Sequence, residues 1–312
     1  MKKIVSSWIF GMALLGSAAA NAAWPDKPIV ITVGFGAGGT TDIIARAVGD
    51  LVSKELGQPV VIENRPGAGG AVAATALTRQ KADGYNLVAT TSTTVTLDPL
   101  ITKMAYTADD FTYVAAIGQF PEAYVALPSK GWKTMKDATA AGRKAGQMTV
   151  ASNTALDRMI TAFIAKKDGV ELKPVPTRGG AEVVTQVMGG HVDMGYSSGA
   201  YFPQAESGNL VVLGALGDSR ISGLPNVPTL KEQGYDVSSV NLVLFIAPKD
   251  LPSDIQAKLT KAFDAAGRDP SVLDLLKRRS VDAVVLSGAK LKSTIQAHIE
   301  GYKELIKATG GN

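Results

Sequence analysis

A glycine-rich turn between an apolar run and an amphipathic run is the feature that most restricts the fold of this chain. Ile29 to Val33 is almost wholly apolar and predicts a buried strand, and the turn that follows reads GFGAGGTTD. Apolar residues then recur on one face as far as Leu56, which predicts a helix that ends at Gly57. A strand, a tight turn and a helix in this order are typical of an open, mostly parallel α/β sheet, which binds ligands beyond the carboxyl ends of its strands.

The same alternation continues along the chain and predicts two α/β lobes. A strand at 59–63 leads to a second glycine loop, and further strand–helix units follow. Helices at 252–267 and 287–309 are expected to return to the first lobe. The crossovers near 117–124 and 238–246 would then act as a hinge. The predicted boundaries are residues 23–120 with 240–312 for lobe 1 and residues 121–239 for lobe 2.

The first glycine turn has the chemistry of an anion site. A helix N-terminus exposes unpaired N–H groups and a partial positive charge, and glycines let the backbone approach an anion closely. Thr40 or Thr41 is the expected N-cap. Asp42 would repel an anion unless N–H groups of the turn or a neighbouring hydroxyl occupy its carboxylate. Residues 67–71, in the second glycine loop, offer a similar arrangement.

A dinucleotide-binding enzyme is one alternative that the same turn leaves open. Gly34, Gly36 and Gly39 satisfy the pattern G-x-G-x-x-G, and Glu63 ends the second strand where a ribose-binding acid is expected. The pattern by itself is common. The N-terminal residues, described below, indicate that the chain is exported, and an exported protein rarely meets soluble nicotinamide cofactors. We therefore expect no cofactor.

A serine hydrolase is the second alternative. The segment GYSSG at 195–199 matches the nucleophile elbow G-x-S-x-G with Ser197 as nucleophile, and Asp218 or Asp236 and then His298 follow in hydrolase order. His298, however, borders the apolar stripe of a predicted helix rather than lying on a loop. We interpret His298 as a packing residue and Ser197 as a hydroxyl that faces a cleft.

Polar side chains that follow the predicted strands are expected to complete a ligand cleft without a nucleophile–base pair. The set comprises Ser92, Thr93, Thr94, Asn153, Thr154, Thr177, Ser197 and Ser198. Arg178 is the only charged residue inside one of these loops. Its guanidinium can pair with a ligand carboxylate or stay solvated.

The N-terminal residues indicate export. Lys2 and Lys3 precede an uncharged apolar stretch from Ile4 to Ala20, and Ala20-Asn21-Ala22 offers the small residues that a signal peptidase requires. Residues 1–22 are therefore expected to form a secretory signal peptide.

Composition argues against several classes of protein. The absence of cysteine excludes disulfides and thiolate metal sites, and two histidines are too few for a zinc cluster. The 32 basic residues, or 30 without Lys2 and Lys3, nearly balance 28 acidic ones. These charges are spread along the chain and aromatic residues are few, so nucleic-acid binding is not expected.

Several segments resemble the periplasmic solute receptors of tripartite tricarboxylate transporters, also called Bug-type proteins. They read VGFGAGGTTDIIAR, LGQPVVIENRPGAGG, DGYNLVATTST, MGGHVDMGY and LPNVPTLKEQGY, in this order. The resemblance covers essentially the whole chain after the predicted signal peptide. Its most specific part is ENRPGAGG at residues 63–70.

The resemblance implies a two-lobed periplasmic binding protein of the type II-like class, not an enzyme. Such a protein closes on a small organic carboxylate and presents it to the membrane subunits of a transporter, usually as a monomer. In that family the first glycine loop holds a ligand carboxylate through backbone N–H groups and ordered waters. That role would fall here to Gly36, Ala37, Gly38, Gly39 and Thr40.

The resemblance also assigns specificity to the second lobe, with two departures. The residues that would supply it are Asn153, Thr154, Thr177, Arg178 and Ser197. Similar proteins usually carry a serine-rich turn and a histidine where this chain has Ser152 to Asp157, and a tyrosine in place of Thr177. No relative's ligand is therefore transferred to this chain.

Overall fold

The computed structural model describes residues 24–310 of the 312-residue chain. The predicted signal peptide lies outside the described residues. Within residues 24–310, no helix combines the length and the hydropathy that crossing a bilayer would require.

The described residues contain eleven strands in two separate sheets. The strands are β1 (Ile29–Val33), β2 (Val60–Asn64), β3 (Asn86–Thr91), β4 (Phe111–Gln119), β5 (Ala123–Ala126), β6 (Gln147–Ser152), β7 (Glu171–Pro176), β8 (Met194–Ser197), β9 (Val211–Ala215), β10 (Leu242–Pro248) and β11 (Asp282–Ser287). The first sheet has the order β11-β4-β10-β3-β1-β2, and the second has the order β7-β6-β8-β5-β9.

Most strands within each sheet run in one direction. In the first sheet β1 to β4 share a direction, and β10 and β11 run opposite to them. In the second sheet only β5 is reversed. The predicted mixed, mostly parallel α/β architecture is therefore confirmed.

Helices cover the sheets. They are α1 (Thr40–Leu56), α2 (Ala71–Leu77), α3 (Ser92–Thr96), α4 (Asp98–Ile101), α5 (Met135–Ala145), α6 (Ala155–Asp168), α7 (Gly180–Met188), α8 (Phe202–Glu206), α9 (Ser253–Gly267), α10 (Pro270–Arg278) and α11 (Gly288–Thr309). Helix α10 and strand β11 were not predicted from the sequence. The residues of β11 are only partly buried or exposed, so they lack the strong apolar signal of a central strand.

Strand β10 shows why the first sheet needs helices on both faces. Its seven residues are all buried, and they alternate between two clusters because side chains of a strand alternate in direction. Phe245 and its neighbours two residues away pack with α1, α9 and α10. Leu244 and its neighbours two residues away pack with α2 and α11. A continuous apolar strand is the expected consequence of this double coverage.

The last helix connects the two lobes. Leu291 and Ile295 of α11 pack in a cluster of the first sheet, whereas Tyr302 and Leu305 pack in the core of the second. The prediction that the final helices return to the first lobe thus holds for only part of α11. Strands of the first sheet come from 29–119 and 242–287, and strands of the second from 123–215. The predicted lobe boundaries themselves stay predictions.

Candidate functional site

A cavity of about 670 Å³ lies between the two sheets. One wall contains Thr40 and Thr41 at the start of α1, and the opposite wall contains Ala155 and Leu156 at the start of α6. Residues of the two crossovers, among them Glu122, complete the lining. Helices from both lobes therefore begin at one cavity.

The N-terminus of α1 presents backbone donors to this cavity. Its N-cap is Gly39, which has extended backbone angles (φ −70°, ψ 162°) and no side chain with which to cap the helix. The first two helical residues, Thr40 and Thr41, have no intrahelical acceptor for their N–H groups. The prediction that Thr40 or Thr41 would be the N-cap is wrong, because both already lie within the first helical turn.

Asp42 supports the glycine turn without facing the cavity. Its buried carboxylate accepts hydrogen bonds from Gly38 N (2.8 Å), from Asn64 Nδ2 (2.8 Å) and from Arg46 Nε (3.1 Å). Burial alone would raise the pKa of Asp42, but the hydrogen bonds from Arg46, Gly38 and Asn64 outweigh it and lower the pKa below its usual value. The carboxylate is thus occupied by the turn, as predicted, and Arg46 balances its charge.

The N-terminus of α6 has the same open donors on the opposite wall. Thr154 is the N-cap and accepts a hydrogen bond from Asp157 N through Oγ1 (3.0 Å). The buried Asp157 carboxylate accepts in return from Asn153 N (2.8 Å) and Thr154 N (2.7 Å). This capping box leaves the N–H groups of Ala155 and Leu156 without an intrahelical acceptor.

The second glycine loop is packed against the first. A Cβ atom on Gly34 would lie 2.9 Å from Gly70 Cα, so the two backbones can approach only because residue 34 is glycine. Thr94 Oγ1 fixes the second loop by donating to the carbonyl of Gly69 (2.7 Å). The first glycine of G-x-G-x-x-G is therefore explained by contact between the two loops, which requires no pyrophosphate.

The structure brings only some of the predicted site residues to the cavity. Those that line it are Gly39, Thr40, Thr93, Asn153 and Thr154. Gly36, Ala37 and Gly38 are exposed and lie outside the lining. Ser92 is buried and donates to the carbonyl of Val240 (3.2 Å), because α3 begins directly after β3 and turns this side chain inward. The assignment of these residues to ligand binding stays a prediction.

The remaining predicted residues of the second lobe lie away from the cavity lining. Thr177 Oγ1 donates to the carbonyl of Ser152 (3.1 Å). The Arg178 side chain is 95% exposed and pairs with Glu182, so it is solvated. Ser197 is fully buried, and its neighbour Ser198 lines the cavity instead. Of the residues expected to set specificity, Asn153 and Thr154 line the cavity, whereas Thr177, Arg178 and Ser197 do not.

The hydrolase pattern is not accompanied by a nucleophile–base pair in the described part of the chain. Neither Ser197 Oγ nor His298 Nδ1 has a hydrogen-bond partner among residues 24–310. Burial lowers the pKa of His298, with Asp218 acting in the opposite direction. A general base must reach the hydroxyl that it activates, and these two side chains do not make that contact.

Two acidic residues that were not among the predicted site residues also line the cavity. Glu122 is 3% exposed and accepts hydrogen bonds from Tyr196 OH (2.5 Å) and Ser239 Oγ (2.6 Å), and burial raises its pKa. Burial likewise raises the pKa of Asp98 to about 6. Glu122 is an acidic residue within the apolar crossover that follows β4, and this pattern could have identified it as a site residue from the sequence. No sequence pattern marked Asp98, because an acidic residue in the first turn of a short helix is common.

Comparisons with known proteins cover most of the chain. The family model described as "Tripartite tricarboxylate transporter family receptor" matches residues 44–311. Protein BugT of Bordetella pertussis (strain Tohama I) is 28% identical over 312 residues, which is 96% of this chain and 95% of BugT.

Two solved structures share the fold. A TctC solute binding protein from Polaromonas, solved without ligand, is 27% identical with a TM-score of 0.81, and the match covers 91% of this chain and 99% of that one. The R. palustris protein Rpa4515, solved with adipate, is 25% identical with a TM-score of 0.77, and the match covers 92% and 98%.

Proposed function

Because this chain belongs to the tripartite tricarboxylate transporter receptor family, we propose that it is a periplasmic receptor that captures a small organic carboxylate and delivers it to the membrane subunits of such a transporter. Members of this family are solute receptors and not enzymes. In this proposal the chain is exported after removal of residues 1–22 and acts as a monomer without a cofactor.

One observation carries the proposal. Helices α1 and α6 come from different lobes, and each opens on the same cavity with first-turn N–H groups that have no acceptor within the helix. Such groups bind carboxylates through hydrogen bonds and through the partial positive charge of the helix end. A ligand that engages both lobes would stabilise the closed arrangement of the hinge.

The role of the cavity as a carboxylate site can be tested by thermal unfolding of the mature protein. We expect at least one member of a panel of mono- and dicarboxylates, amino acids and aromatic acids to raise the Tm. A ligand at 100 times its Kd adds about 2.7 kcal/mol, which corresponds to roughly 5–10 °C for a chain of this size. The adipate bound by Rpa4515 is one reason to include C4 to C7 dicarboxylates.

Matched compounds distinguish the alternatives. The primary amide of each active acid has the same shape without the charge and should leave the Tm unchanged. Stabilisation by a nicotinamide nucleotide and by no carboxylate would contradict the proposal. Turnover of an ester substrate that disappears in Ser197→Ala would also contradict it, because a receptor needs no nucleophile.

A further inference from the structure

The cavity lining contains acidic side chains, which do not favour an anionic ligand. Within the described chain, the only aspartate and glutamate residues of the lining are Asp98 and Glu122, and no lysine, arginine or histidine is among the lining residues. A ligand with negative charges alone would therefore bring them towards two acids without any side-chain cation to balance them.

Asp98 is the acid with the least compensation. Burial raises its pKa to about 6, and among residues 24–310 no hydrogen bond or nearby cation offsets that effect. At neutral pH the side chain is therefore mostly ionised, and no residue of the described chain donates a hydrogen bond to it. It lies beside the second glycine loop, since a Cβ atom on Gly69 would be 3.8 Å from Asp98 Oδ2. Gly69 lines the same cavity.

The crossovers add further acceptors. Asn241 donates from Nδ2 to Glu122 Oε1 (3.2 Å), which leaves its Oδ1 atom buried without a hydrogen-bond partner among the described residues. Asn241 also lines the cavity. A buried acceptor without a donor is costly, so a donor supplied by a ligand would be favourable there.

The cavity lining thus contains two kinds of open group. The helix N-termini offer donors at Thr40, Thr41, Ala155 and Leu156, whereas the open side-chain groups at Asp98 and Asn241 are acceptors. From this arrangement we infer that the ligand is a zwitterion, with a carboxylate at the helix N-termini and an ammonium group against Asp98 and Asn241. The inference rests on the proposed receptor function and narrows its ligand to amino-acid-like carboxylates.

An ammonium group fits these acceptors better than a hydroxyl does. A hydroxyl donates one hydrogen bond and leaves the charge of Asp98 unbalanced, whereas an ammonium donates three and carries the opposite charge. Asp98 is in this sense a specificity-determining residue. Its effect should appear as discrimination between compounds that differ only in the amino group.

Isothermal titration calorimetry on the mature protein with matched pairs tests the inference. The pairs are L-aspartate and succinate, L-glutamate and glutarate, and L-phenylalanine and 3-phenylpropionate. We expect the amino compound of the pair that binds best to have a Kd at least about 10-fold lower than its partner, as a charge-assisted hydrogen bond implies. In Asp98→Asn the ratio of the two Kd values should fall to about 3-fold or less. Part of this change should come from tighter binding of the desamino acid to the variant. Asp109→Asn, an exposed acid outside the lining, should keep the wild-type ratio.

The outcomes separate the inference from the proposed function. If a desamino acid binds the wild-type protein as tightly as its amino partner, the inference is wrong and the receptor function stands. If the preference for the amino compound survives Asp98→Asn, the assignment to Asp98 is wrong. If no compound of any pair and no other carboxylate binds the wild-type protein, the proposed function fails and the inference fails with it.

Discussion

Replacing Gly70 with alanine is expected to lower the free energy of unfolding by about 3 kcal/mol. Gly70 has φ +99°, a region that costs a residue with a side chain about 1–2 kcal/mol. Its added Cβ would also overlap Thr90 Oγ1 and lie 3.1 Å from Thr94 Oγ1, and such overpacking costs about 1–3 kcal/mol. Urea unfolding followed by both fluorescence and circular dichroism measures the change.

Gly36→Ala is the matched control within the first glycine turn. A Cβ atom on Gly36 meets nothing within 4 Å, and Gly36 is not among the glycines with positive φ. We expect the free energy of unfolding of this variant to lie within about 0.5 kcal/mol of the wild-type value. Equal stability of the Gly70 and Gly36 variants would contradict the close packing of Gly70 against Thr90 and Thr94.

Replacing Thr40 with proline is expected to weaken carboxylate binding about 10- to 100-fold while the fold is retained. Thr40 is the first residue of α1, where proline is favoured because the missing N–H has no intrahelical partner. The backbone angles of Gly39 (φ −70°, ψ 162°) already suit a residue that precedes proline. A hydrogen bond to a charged group contributes about 1.5–3 kcal/mol, which gives the expected range.

Thr40→Ala separates the amide from the side chain. It removes the hydroxyl and keeps the N–H group, so its Kd should stay within about 3-fold of the wild type. Titration calorimetry gives both Kd values. The Tm of each variant, measured by thermal unfolding, should lie within a few degrees of the wild-type Tm. Unchanged binding by the proline variant would show that the amide of Thr40 is not used. An equal loss of affinity in both variants would show that the Thr40 hydroxyl, and not its amide, binds the ligand.

The architecture was predictable because its signals are local. An apolar run, a glycine turn and an amphipathic run recur, and each helix or strand shows its type within a window of about 11–18 residues. Helix α10 escaped notice although Asp269 caps it and Pro270 occupies its first position. Strand β11 lies at the edge of its sheet with residues that are partly exposed, so its burial pattern is weak.

The cavity lining was predictable only in part, for a physical reason. Gly39 and Thr40 were identified because a helix N-terminus after a strand is a local pattern. The hydrogen bond that joins Glu122 to Asn241 spans 119 residues and depends on how two crossovers meet, which no short segment encodes. Ser92, predicted to face the cleft, is buried outside the cavity lining, because a helix that the sequence did not reveal begins at that residue.

A crystal structure of the mature protein with the tightest-binding acid from the thermal screen tests the central claim most directly. We predict a carboxylate at the start of α1, with its oxygens 2.7–3.2 Å from the amide nitrogens of Thr40 and Thr41 or bridged to them by a single water. Clear density for the acid at another place, with those two amides left without any ligand contact, would contradict the claim.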